Sequence, residues 1–448
     1  MHQGPYAVVR AKLWLFGVAW LIFVSQSAAE PILGDQSLAA PEETQQRSTA
    51  QEAQSRFDAH DYVGALEKWR EAAQGNPDLP PAQTIMAVLY LKNGMLQEAE
   101  KALQESLVDA SDDPEAHILL GDLAKRAEKL NEAASEYQKA EKLLPKFEKS
   151  ENRKKRLQIQ CLASQIALAE VRKDWDNAIS LVEALAKLAP SNRTAKIRIA
   201  YLLFQKKDID RALEQLRENA KNTKDAMPPE ITLGQFYQNA GDEKNAEKWL
   251  LAGLKAAPKS SRAELAVGQW CMAVNRVDEA EKHAIAATRL DPKSVEAKLF
   301  RGTTALLLRD FTAAESLFES LVKQSPQNVI ATNNLAMVLA AEKDEAKNNR
   351  ALELAEANFK KMPNVPEIAS TYGLTLYRVG RLEEAAKVMK IAAPLAESDV
   401  DTAYVLARLA VDHGNKAEAR KLLEGSLRNK KLYIMRQDAE ELLEELKK

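Results

Sequence analysis

One spacing limits this chain more than any other feature. An alanine recurs at Ala65, Ala99, Ala133, Ala178, Ala212, Ala246, Ala280, Ala314, Ala351, Ala385 and Ala419. Most steps are 34 residues; the exceptions are 45, from Ala133 to Ala178, and 37, from Ala314 to Ala351. Twelve residues earlier most units hold a second small residue: Ala53, Ala87, Gly121, Ala200, Gly234, Gly268, Gly302, Gly373 and Ala407, with Ile166 an exception. Twelve residues later many units hold a breaker: Pro77, Pro145, Pro190, Pro258, Pro292, Pro326 and Pro363. A turn rich in Gly and Asp lies just before the alanine, as at Gly94, Asp208, Gly241, Asp310, Gly380 and Gly414.

Such a unit is two helical runs joined by a tight turn. The two small columns let the helices of one hairpin approach closely, and the proline ends the second run. One hairpin cannot bury its apolar face alone, so neighbours must stack. Composition agrees. Ala, Leu, Glu and Lys dominate, and only 6% of residues are aromatic. That mixture favours helix over a large sheet.

The 34-residue helix-turn-helix period, with these Gly/Ala, Ala and Pro columns, resembles the tetratricopeptide repeat family. The resemblance spans residues 46–433 and gives eleven units, of which the first (46–79) is the weakest. It implies an all-α fold: a right-handed α-solenoid, or superhelix, of about eleven helix-turn-helix units. Residues 434–448, with Ile434, Leu442, Leu443 and Leu446 among charges, suit a C-terminal capping helix, apolar inward and polar outward. Units one to three occupy 46–145 and units four to eleven occupy 159–433. The spacer between them, 146–158, is expected to be a longer helix or a loop, with its basic run KSENRKKR forming a solvated helix end. The extra residues at 341–350 are expected to form a solvated, protruding turn.

The first 29 residues differ from the rest. Arg10 and Lys12 precede the apolar run LWLFGVAWLIFV at 13–24, and Ser27 and Ala29 are small residues placed for a cut after Ala29. This order reads as a secretory signal peptide, or as an uncleaved anchor if it is retained. The run is shorter than the ~20 residues a membrane-crossing helix needs. The expected protein is therefore exported, periplasmic or secreted, with membrane contact only through an uncleaved N-terminal segment. Residues 30–45 read as a flexible linker. Cys161 and Cys271 fall three repeats apart and are read as buried small apolar residues.

Catalytic signals are missing from the sequence. It carries no phosphate-cradling GxxxxGK[ST], no HExxH and no GxSxG. His60, His117, His283 and His413 lie in four different repeats, whereas a metal site needs three or four converging donors. With 63 basic and 65 acidic residues there is no basic excess of the kind that marks a nucleic-acid protein. The expectation is a non-catalytic chain without cofactor or metal, whose partners are proteins and not nucleic acids.

In tetratricopeptide repeats the first helix of each unit lines a concave groove. Carried over by register, the resemblance assigns Ile197, Tyr201 and Phe204 of unit five to a partner-binding face. It adds Gln235, Gln238 and Asn239 of unit six, Leu265, Gln269 and Met272 of unit seven, and Leu299 and Leu306 of unit eight. Asn334 and Met337 of unit nine, Tyr377 and Arg378 of unit ten, and Tyr404 and Arg408 of unit eleven complete the set. The family's carboxylate clamp lacks its Lys and Asn positions here, and a ladder of groove asparagines reduces to Asn334. A helix or a folded partner is the better expected occupant. The function expected is an exported scaffold that binds other proteins of the bacterial cell envelope. The alternative is an assembly component of a polysaccharide-export or outer-membrane machine.

Overall fold

The computed structural model describes residues 44–189, 194–221, 226–342 and 344–448, with side chains from residue 49. The signal segment at 1–29, and the expected linker up to residue 43, lie outside the described residues. The chain divides between Lys224 and Asp225 into two compact units. Among the described residues there are α-helices and two short 3-10 turns, and no strand.

The N-terminal unit contains five hairpins: α1 (Thr44–Asp58) with α2 (Tyr62–Ala73), α3 (Ala82–Lys92) with α4 (Leu96–Asp109), α5 (Pro114–Arg126) with α6 (Leu130–Leu143), α7 (Glu151–Val171) with α8 (Trp175–Leu188), and α9 (Ala195–Gln205) with α10 (Ile209–Lys221). The C-terminal unit contains six: α11 (Pro229–Asn239) with α12 (Glu243–Ala256), α13 (Ser261–Ala273) with α14 (Val277–Leu290), α15 (Val295–Leu307) with α16 (Phe311–Gln324), α17 (Val329–Ala341) with α18 (Glu345–Lys361), α19 (Pro366–Arg378) with α20 (Leu382–Ala392), and α21 (Val400–Asp412) with α22 (Lys416–Ser426). A last helix, α23 (Arg436–Lys447), packs on α21 and α22. It buries Ala439, Leu442, Leu443 and Leu446. Within each unit the first helix of a hairpin packs on its own second helix, and that second helix packs on the next hairpin.

The small columns do what their spacing implies. Every alanine from Ala65 to Ala419 in the repeating column is fully buried. Sixteen residues after the glycine column a large side chain closes the hairpin. A Cβ built on Gly121 would lie 2.3 Å from the Tyr137 ring, and one on Gly302 would lie 2.7 Å from Phe318. The bulky residue thus occupies the space that the small one leaves.

The turn inside each hairpin has its own period. His60, Gly94, Glu128, Lys173, Lys207, Gly241, Asn275, Arg309, Gly380 and Gly414 all adopt φ between +57° and +79°. Each stands five residues before the column alanine. Many turns then hand over to a cap: Asp61, Asp174, Asp242, Asp310 and Asn415 accept a backbone N–H of the helix they precede.

Two local expectations are corrected. The basic run at 149–156 is a helix end whose side chains are mostly exposed, as expected, but it is not solvated throughout. It begins the 21-residue helix α7, and its Arg153 is buried. Where a protruding turn is expected at 341–350, the chain is helical from Glu345 onward. These residues extend α18 at its N-terminus, and Asn348 is buried. Lys347 pairs there with Glu315 at 2.8 Å and with Glu342 at 2.7 Å, while Arg350 pairs with Glu319 at 2.6 Å. The three extra residues thus lengthen a packed helix, and Lys347 and Arg350 tie its N-terminal end to Glu315 and Glu319 of α16.

Candidate protein-interaction surfaces

In the N-terminal unit α9 carries the sequence-predicted residues. Ile197 and Tyr201 are half-buried and Phe204 is buried. The Tyr201 and Phe204 rings lie 6.5 Å apart, nearly parallel, and the Arg198 guanidinium sits 6.0 Å over Tyr201. Arg198 also pairs with Glu170, whose carboxyl is pushed up by burial against the pull of that arginine. Tyr201 is thus a fixed aromatic surface with one edge in water.

In the C-terminal unit the predicted residues divide into two groups. Leu265, Met272, Leu299, Leu306, Asn334, Met337 and Tyr404 are buried, so in this structure they do not form an open face. Asn334 donates to the Thr303 hydroxyl at 3.5 Å instead of pointing outward. Gln235, Gln238, Gln269, Tyr377, Arg378 and Arg408 are half-buried, and Asn239 is exposed. Gln269 donates to Glu296 at 3.4 Å. Arg408 Nε donates to the Tyr377 hydroxyl at 3.0 Å, and Arg378 Nε donates to the Ala340 carbonyl at 2.9 Å. These side chains leave a polar face on α11 and α13 of units six and seven, and a tyrosine–arginine face on α19 and α21 of units ten and eleven.

Sequence reasoning missed the non-helical stretch between α22 and α23. Asn275 Nδ2 donates to the Lys430 carbonyl at 3.4 Å, and the Leu432 N–H donates to Asn275 Oδ1 at 3.3 Å. Arg309 Nη1 donates to the Ile434 carbonyl at 2.9 Å and pairs with Asp438 at 3.1 Å. The Met435 N–H donates to Asp401 at 2.7 Å, and the Met435 sulfur lies 3.8 Å from Arg378 Nη2. Ile434 and Met435 are buried in the same apolar cluster as Leu306, Met337 and Tyr404. Helix turns of units seven and eight and helices of units ten and eleven therefore converge on one short stretch of chain. Asn275 and Arg309 both occupy the left-handed turn position, where Gly94, Gly241, Gly380 and Gly414 stand in other units. A polar side chain in a column that favours glycine was the available signal.

Asp401 is fully enclosed. Burial, with Asp399 close by, pushes its carboxyl up to about 8, and burial likewise raises Asp399. Cys161 and Cys271 are free and buried, and burial pushes their thiols up to about 12 and about 11. That makes both poor nucleophiles at neutral pH. Among the described residues no three His, Cys, Asp or Glu side chains converge as a metal ion would require, and no helix is long and apolar enough to cross a membrane.

Profiles described as tetratricopeptide repeat match residues 56–123, then 167–225, 231–260, 272–329 and 302–363. The chain belongs to the tetratricopeptide repeat family. None of the matching profiles is an enzyme family. No curated protein matches the sequence. Among solved structures this tetratricopeptide repeat protein is similar to the APC/C hetero-tetramer Cut9–Hcn1, at 12% identity and TM-score 0.43, over 90% of this chain and 96% of that one. It is also similar to yeast Tom70, at 15% identity and TM-score 0.33, over 90% and 96%. A thermophilic tetratricopeptide repeat protein of Thermus thermophilus matches at 20% identity and TM-score 0.35, over 41% of this chain and 98% of that one. Scores this low carry no weight for function.

Proposed function

We propose that this tetratricopeptide repeat protein is an exported, non-catalytic scaffold that binds proteins of the bacterial cell envelope. The observation that carries the reading is that Gln235, Gln238, Gln269, Tyr377, Arg378 and Arg408 stay half-exposed on the first helices of units six, seven, ten and eleven. Tyrosine and arginine held half in water by neighbours are common anchors of protein interfaces. The glutamines on units six and seven accept and donate without the desolvation cost of a charge. Export rests on the charged start, apolar run and small-residue exit within residues 1–29.

The test is capture from detergent-solubilised envelope by residues 30–448, compared with a Gln238→Lys, Gln269→Lys variant. Both substituted side chains are partly exposed, so the helical spectrum should not change. A protein held by the parent and lost by the variant supports the scaffold. The same catch from both refutes this surface. Cleavage after Ala29 is checked by the intact mass of the protein recovered from the envelope.

A further inference from the structure

The stretch Asn429–Met435 is bound the way a peptide ligand is bound. Its backbone at Lys430, Leu432, Ile434 and Met435 is held by side chains of Asn275, Arg309 and Asp401. Asn275 makes a donor–acceptor pair with two backbone groups two residues apart, which reads main chain and not side-chain identity. Specificity falls to Ile434 and Met435, whose side chains enter the apolar cluster, while Leu432 stays exposed. The two turn residues involved keep a side chain in a left-handed conformation that glycine adopts more cheaply. A loop that served only to connect α22 to α23 would not need contacts to turns more than one hundred residues earlier in the chain.

We propose that residues 429–435 are a displaceable occupant of this site, and that the site takes a partner's non-helical peptide of the same chemistry: a polar lead followed by two adjacent bulky aliphatic side chains, held through its backbone by Asn275, Arg309 and Asp401. The proposal deepens the scaffold reading and rests on it. Within the fold the chain's own segment keeps the site closed until a competing peptide arrives. The ends of the segment limit how far it can move. Asn429 and Tyr433 bond to the Ser398 carbonyl at 3.0 and 2.7 Å, and α23 remains packed on α21 and α22. Release therefore requires Ile434 and Met435, between Tyr433 and the first turn of α23, to leave the apolar cluster while α23 stays docked.

The experiment uses the full chain and a fluorescein-labelled synthetic peptide with the sequence of residues 428–436, followed by anisotropy. The parent should bind it weakly, because its own segment competes. An Ile434→Asp, Met435→Asp variant should bind it about tenfold or more tightly than the parent. Adding Asn275→Ala and Arg309→Ala should remove that gain, and a scrambled peptide should bind neither protein. A variant with the parent's helical spectrum that fails to bind the peptide overturns the proposal. So does a parent that is a dimer with exchanged segments, since the occupant is then a second copy. If the variant unfolds, hydrogen exchange on the unaltered parent decides. Leu432 and Met435 amides that open well before those of α17 support displacement, and amides that open only with α17 make the segment permanent core and overturn it. Either failure leaves the capture test with the glutamine variant intact, so the two readings fail separately.

Discussion

Replacing Arg153 with methionine should open the joint between the third and fourth hairpins. Arg153 lies in α7, and its side chain is 3% exposed. It donates Nη1 and Nη2 to Asp113 at 2.7 and 2.9 Å, and Nη2 and Nε to Glu115 at 2.7 and 3.2 Å. Its guanidinium also stacks 5.2 Å over Phe147. The two carboxylates are 1% and 7% exposed, so water cannot replace the lost cation. Burial pushes the Glu115 carboxyl upward even with Arg153 beside it, which shows how poorly this site tolerates negative charge. Removing one member of a buried ion cluster typically costs about 3–5 kcal/mol, and that is the loss expected at neutral pH. It should shrink as pH falls, because burial holds the orphaned Glu115 carboxyl above its ordinary pKa and it gains stability by taking up a proton.

A second variant separates charge from packing. Arg153→Met with Asp113→Asn and Glu115→Leu removes all three charges. Asparagine at 113 keeps an oxygen to accept the Glu115-position N–H, the cap now made by Asp113 at 3.0 Å. Stability should return to within about 1 kcal/mol of the parent. Repeat arrays open in pieces, so the assay is native-state hydrogen exchange. The opening free energy of α5, α6 and α7 should fall while that of α15 to α21 holds. A loss below about 1 kcal/mol for Arg153→Met would mean that water reaches the cluster. A triple variant as unstable as the single one would mean that shape, not charge, explains the cost. Either result refutes the reasoning.

Lys173→Gly should stabilise the fourth hairpin by about 0.5–1 kcal/mol, because Lys173 is exposed and holds φ at +57°; urea midpoints of parent and variant measure it. Asp401→Asn should flatten the pH dependence of stability in residues 226–448. The folded carboxyl sits near pH 8, above its ordinary value of 3.8, so its contribution is full below about pH 4 and is lost as pH rises toward 8. Asp399 and Asp438 add to that unfavourable field and remain in the variant, while burial keeps the nearby Tyr433 phenol neutral across this range. Urea midpoints at pH 5, 7 and 9 should show the variant gaining on the parent as pH rises, and parallel curves would refute the assignment.

The repeat was legible because it is written in columns that tolerate few residues. Ala314 and Gly302 face neighbours that leave no room, and the 34-residue period survives wherever that crowding does. The binding face was much less legible, for a reason visible in α17. Every residue from Ala331 to Ala340 is buried, because a first helix packs on its own partner and on the first helices of both neighbours. With no solvated side, periodicity cannot say which positions face a groove, so Leu306 and Met337 looked as available as Gln269. Arg153 was misread for the complementary reason. A basic run reads as solvated unless its acids are known, and here they lie about forty residues earlier in sequence.

The left-handed turn column joins these two cases. Its register follows from the period, yet only the glycines mark it in the sequence, at Gly94, Gly241, Gly380 and Gly414. Six other turns place a side chain in that conformation. For Lys173 nothing in the structure offsets the strain, and glycine should improve it. For Asn275 the same change would relieve the backbone and remove both bonds to the 430–432 segment, two effects of opposite sign and similar size. Glycine at 275 should therefore leave stability nearly unchanged while loosening the C-terminal segment. That divergence between two positions in one column is what a structural turn and a functional one should show when treated alike.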